Sequence, residues 1–223
     1  MKNYKIILFL MLALFAQNFN AQEVKKPSDV FGFYFDTFVK YDQAVLAKLN
    51  EYLKPTVEGK NAYEINLKET ADETLKAGVD SFLSTFHKNT ANDCRKEAED
   101  YFKIMTDNFK NGKLSITNVK MIENEYVKDQ KIALINYSVS FKVPSKLSDM
   151  PITNPKRVKS EDLKKYLIQI TEEFKNADKT VTTEQEFSLY QLSEGGKIYY
   201  WNGSPDDIVS KLTDFYFESF EPK

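Results

Sequence analysis

A chain of 223 residues, 42% hydrophobic and 29% charged, is long and apolar enough to fold around one large core without covalent help. Its net charge of −2 and its two arginines, Arg95 and Arg157, offer no clustered basic face for nucleic acid and few sites for bidentate anion recognition. One histidine (His87) and one cysteine (Cys94) exclude a histidine-based zinc site and an internal disulfide.

The N-terminus reads as an export signal. Lys2 and Lys5 precede an unbroken apolar run over 6–16, and Ala21 supplies a small residue for cleavage. Eleven apolar residues fall well short of the ~20 that span a bilayer as a helix, so the run reads as a signal core and not as an anchor. The domain reading is therefore a signal peptide over 1–21 and a single α+β domain over 22–223, exported to the periplasm or the medium, with no transmembrane anchor. Loss of Lys2 and Lys5 leaves the mature chain at about −4. Cys94 lies far from the signal, which excludes an acylated lipoprotein cysteine, and its place on an apolar stripe favours burial.

The mature chain then reads as follows. A helix over 28–54, capped by Ser28 and stopped by Pro55, carries Phe31, Phe35, Phe38, Val45, Leu49 and Leu53 at helical spacing. Tyr63, Ile65 and Leu67 alternate with polar neighbours as in a short strand. A helix over 71–87 follows, and then one opened by Thr90-x-x-Asp93 whose stripe is Cys94, Ala98, Tyr101, Phe102, Met105 and Phe109. Asn111-Gly112 ends that helix.

The period then changes from 3.6 to 2. A strand over 113–123 slips phase at Thr117–Asn118, which predicts a bulge. The strand over 131–143 alternates cleanly: Ala133, Ile135, Tyr137, Val139, Phe141 and Val143 against Asn136, Ser138, Ser140 and Lys142. A proline-bearing loop over 144–159 leads to an inserted helix over 160–176, and a long strand covers 180–192. Gly195-Gly196 predicts a tight hairpin into 197–201, and Ser204-Pro205-Asp206-Asp207 opens a C-terminal helix. Helices, then a mainly antiparallel sheet, then further helices define an α+β class.

Two stretches, KLSITNVKMIENEYVKDQKIALINYSVSFKVP and TTEQEFSLYQLSEGGKIYYWNG, resemble the strand pattern of nuclear-transport-factor-2-like (cystatin-like) domains. The segment YDQAVLAKLNEYLKP is similar to the end of their first helix, so the likeness covers 34–201 with 144–178 as an insertion. The resemblance implies a curved sheet wrapped around helices as a cone with a pocket. Members include isomerases and dehydratases, which use an Asp–His or Tyr–Asp pair projecting into the cone, and many secreted proteins with no known activity.

Candidate chemistry is sparse. No Gly-x-Ser-x-Gly elbow, phosphate loop or EF-hand loop is present. Carboxylates cluster at Asp72-Glu73, Glu97-Glu99-Asp100 and Asp206-Asp207, on expected exposed faces or helix starts, so no metal and no cofactor is expected. The acid–base candidates are Tyr41, Asp42 and His87; Asp42 attracts attention because it holds a core-facing phase of the long first helix. If the cone is open, Phe38, Asp42, Tyr101, Tyr137 and Phe187 would surround a mainly apolar ligand pocket; if packed, they are only core. Phe33 and Phe217 fall off the inner stripes and would mark a contact surface if exposed. The leading expectation is a non-catalytic envelope protein that binds a small apolar ligand or a protein, a second copy of the chain included. The alternative is a small-molecule enzyme using Asp42 with Tyr41 or His87.

Overall fold

The computed structural model describes residues 24–149 and 154–220; the signal expected over 1–21 lies outside them. Among the described residues seven α-helices and four strands form an α+β fold with a curved, antiparallel sheet. The helices are α1 (Pro27–Phe38), α2 (Gln43–Leu53), α3 (Leu67–Ser84), α4 (Lys88–Asp93), α5 (Arg95–Lys110), α6 (Ser160–Lys175) and α7 (Asp206–Glu218). The strands are β1 (Lys113–Glu123), β2 (Lys131–Val143), β3 (Lys179–Glu194) and β4 (Lys197–Trp201), in spatial order β1-β2-β3-β4. None of these helices is long and apolar enough to cross a membrane.

The period-2 half folds as its pattern dictates. β2 is central, pairing with β1 on one side and β3 on the other. The register shifts between Ile116 and Asn118, where the Thr117 hydroxyl donates to the Asn136 carbonyl at 3.0 Å. The β3–β4 turn places Gly195 at φ 57° and Gly196 at φ 74°, the left-handed pair that a two-residue hairpin requires. On its inner face β2 buries Ala133, Ile135, Tyr137, Val139, Phe141 and Val143, each 1% exposed or less. They pack against α1 and α5. Gly112 enters β1 so close to this layer that a Cβ there would lie 2.6 Å from the Phe141 ring.

A second, smaller core holds Val79, Leu83, Phe86, Cys94, Ala98, Leu163 and Leu167, where the inserted α6 packs with α3 and α5. Tyr101, Phe102 and Tyr166 touch both cores and join them. Cys94 is fully buried, as its stripe predicts; burial raises its thiol pKa, and its Sγ approaches the Ser160 carbonyl at 3.4 Å.

Three helical expectations need correction. The first helix is not continuous over 28–54: it ends at Phe38, Tyr41 turns left-handed (φ 57°), and Asp42 caps α2 by accepting from Ala44 N and Val45 N at 2.8 and 3.0 Å. Local capping at Asp42 outweighs the apolar spacing that runs on in phase. Ser28 does not cap α1, because Pro27 is already inside the helix and the Ser28 hydroxyl turns to Asp29. His87, not Thr90, occupies the cap position of α4, while Thr90 donates to the Val158 carbonyl at 3.1 Å.

The strand expected at Tyr63–Leu67 is absent as well. No neighbouring strand reaches it; instead the Asn50 side chain accepts from Tyr63 N and donates to Tyr63 O, both at 2.9 Å. Leu67 is already the first residue of α3, with Asn66 as its cap accepting from Glu69 N. One amide side chain thus satisfies both backbone groups that a strand partner would have met.

Candidate functional site

The interior expected as a pocket is filled by rings. Phe38, Tyr137 and Phe187 are 7%, 1% and 4% exposed. Phe31 sits between two of them, its centroid 4.7 Å from that of Tyr137 and 5.3 Å from that of Phe187. Tyr101 instead packs edge-on to Phe174 at 5.7 Å, at the seam of the two cores. Asp42, read as core-facing, is exposed at the start of α2, because the break at Tyr41 rotates it off the α1 stripe. The five residues are therefore three core rings, one seam ring and one exposed cap.

The acid–base candidates are placed as local scaffolding. Asp42 spends one carboxylate oxygen on two backbone N–H groups. Tyr41 lies under the Lys110 ammonium, 4.7 Å from its ring centroid, and half-burial raises its pKa. His87 directs Nδ1 to the N–H of Asn89 at 3.4 Å. Among the described residues no hydrogen bond, ion pair or ring contact joins His87 to Tyr41 or Asp42. The carboxylate clusters are tied up in the same way: Asp72 with Lys68 at 2.6 Å, Asp100 with Lys96 at 2.8 Å, and Asp206 and Asp207 in the first turn of α7. No group of three or more His, Cys, Asp or Glu side chains among the described residues is arranged to hold a metal ion.

A buried polar network does exist, and periodicity gives no sign of it. Tyr34 and Tyr63 share a hydroxyl hydrogen bond at 2.9 Å, Tyr63 donates to the Asn202 carbonyl at 2.6 Å, and Asn202 N donates to Tyr34 Oη at 3.0 Å. Asn202 then donates from its side chain to Ser188 O and accepts from Ser204 N, both at 2.7 Å. Burial is the main cause that pushes Tyr63 up to about 12 and Tyr34 higher still. These hydroxyls are spent on holding the β4–α7 junction against α1, a structural duty. The only sequence signal for it is three polar-tipped residues at distant positions.

The outer face of the sheet is the least expected surface. At its hairpin end the register places Ile122 opposite Ile132 and Ile132 opposite Tyr190, an apolar row across three strands, while Trp201, opposite Tyr190 on β4, packs against the larger core. Leu134 lies in the next row. Ile122, Ile132, Leu134 and Tyr190 are half-buried by each other and belong to neither core. The β1–β2 turn beyond the row presents Tyr126, 95% exposed, and Val127, 48% exposed. Of the aromatics read as off-stripe, Phe217 is 38% exposed, while Phe33 is half-buried beneath the Lys25 ammonium.

Comparison with known proteins returns nothing: no family model matches the chain, and neither the curated proteins nor the solved structures contain a significant match.

Proposed function

We propose that this chain is an exported, non-catalytic binding protein of the cell envelope, of nuclear-transport-factor-2-like type, that meets a protein partner through the outer face of its sheet. The observation that carries the reading is the cross-strand row Ile122, Ile132 and Tyr190, with Leu134 in the next row and Tyr126 and Val127 beside it. Half-exposed apolar residues that stabilise no core are contact surface. The cap and shielding duties of Asp42, Tyr41 and His87 support the non-catalytic side of the reading.

A second copy of the chain fits this face best. The outward lysine Lys120 stands on β1, and the outward glutamates Glu184 and Glu186 stand on β3. A twofold axis along β2 sets β1 of one copy over β3 of the other, so unlike charges come together on the polar side of the apolar row. Analytical ultracentrifugation of the chain from Gln22 onward tests this. The expected result is a dimer that dissociates when Ile132→Glu and Tyr190→Glu are combined, with the melting transition of the monomer retained. A parent protein that stays monomeric at tens of micromolar, or a double variant that dimerises like the parent, overturns the reading.

A further inference from the structure

At the opposite end of the sheet from the apolar row, β1 begins at Lys113, which pairs with Ser140, whereas β2 and β3 remain paired as far as Val143 and Lys179. Phe141–Val143 therefore has β3 on one side and no strand on the other. Into this notch come the ends of α5 and α6, enclosing a cleft of about 320 Å³. Lys113, Lys142 and Lys175 rim it, Phe141 and Phe174 close its floor, and Asn108 lines its wall.

The electrostatics of this cleft are one-sided. Three lysines line it and no carboxylate does. Among the described residues neither Lys113 nor Lys142 forms an ion pair, while Lys175 is shared with Glu172 at 2.6 Å. The acids nearest in sequence are engaged elsewhere: Asp107 with Lys103 at 2.5 Å, and Asp178 by the N–H and hydroxyl of Ser145, both at 2.8 Å. Two helix C-termini border the site, and their carbonyls would repel an anion if bare. At the end of α6, Asn108 Nδ2 donates to Phe174 O and Asn176 Nδ2 to Glu172 O, both at 2.8 Å; at the end of α5, Asn111 N donates to Asp107 O and Gly112 N to Phe109 O, both at 3.0 Å.

From this geometry we infer that the notch is a binding site for a small organic carboxylate with a compact apolar body. Lysine ammonium groups are mobile point charges that neutralise a carboxylate without demanding planar geometry. Their methylene stems and Ala177, over the buried Phe141 and Phe174 rings, give the apolar body its contacts. A cleft of this volume is at the small end of ligand sites, so the ligand is correspondingly small. The inference goes beyond the sheet-face reading, shares no residue with the apolar row, and stands or falls separately.

The test is a titration of the ¹⁵N-labelled chain from Gln22 onward with benzoate, with benzyl alcohol and inorganic phosphate as comparison probes. Benzoate is expected to move the amides of Asn108, Asn111, Gly112, Lys113 and Lys142 along one saturable isotherm, weakening as salt rises. Benzyl alcohol, with the same ring and no charge, is expected to bind at least tenfold more weakly, and phosphate, with charge and no ring, likewise. Lys113→Gln combined with Lys142→Gln alters two exposed side chains, and is expected to keep the parent melting temperature while losing tenfold or more in benzoate affinity. Shifts scattered over the surface, phosphate binding as tightly as benzoate, or an unchanged affinity in the double variant would overturn the inference.

Discussion

One strand, β2, shows two different surfaces to the rest of the molecule. Its odd-numbered residues from Ala133 to Val143 are sealed under α1 and α5, and those rings and methyls fill the space that a cone-shaped fold could have left open. Its even-numbered residues begin as Ile132 and Leu134 at the hairpin end and become Asn136, Ser138 and Ser140 toward the other end. The outer face is thus divided along its length, apolar near Tyr126 and polar near the lysine-rimmed notch. The proposed partner surface is the apolar half of this face.

The sharpest test of this contrast substitutes the same residue at adjacent positions. Val139→Lys places a charge in the ring-packed layer and is expected to cost about 3–5 kcal/mol in urea unfolding, through lost packing and an unpaired buried ammonium. Ser138→Lys, one residue away on the polar outer face opposite Glu184, is expected to change stability by less than about 0.5 kcal/mol. Equal costs would mean that the two faces are misassigned.

A smaller loss is expected in alkali. Tyr63 is raised from the ordinary tyrosine range to about 12 by burial, so the folded state holds a proton that the unfolded chain releases near pH 10. The associated stability is fully present below pH 10 and is lost as pH rises from there through about 12, at up to about 1.4 kcal/mol per pH unit. Thermal melts at pH 9, 10 and 11 on the parent and on Tyr63→Phe check this, since the variant should lose less over that interval.

The capping variant Asp42→Ala is expected to cost about 1 kcal/mol, because two α2 N–H groups lose their acceptor while solvent remains within reach. A loss of 3 kcal/mol or more would return Asp42 to the interior. The mildest change is Tyr137→Phe. Among the described residues the buried Tyr137 hydroxyl has no hydrogen-bond partner, so its removal is expected to leave stability unchanged or raise it by up to about 1 kcal/mol. A marked loss would show that this hydroxyl has a partner.

What could be read from residues alone follows from how far each signal reaches. Alternation is a property of the extended backbone itself, so β2 over 131–143, the β1 bulge and the Gly195-Gly196 hairpin were legible, and with them the α+β class. The stripe that carries Cys94 was legible for the same reason, since it is a period along one chain segment. The break at Tyr41 was not, because the apolar spacing continues in phase across it and neither glycine nor proline marks it. Nor was the irregular segment at Tyr63, whose partner is an asparagine 13 residues earlier in another element. The tertiary structure alone decided whether the cone stays open or closes, since that depends on Phe31 reaching Tyr137 and Phe187 across more than a hundred residues of chain. It alone brought Lys113, Lys142 and Lys175 to one notch, because a register offset between strands and the ends of two helices set that proximity, and no local periodicity encodes it.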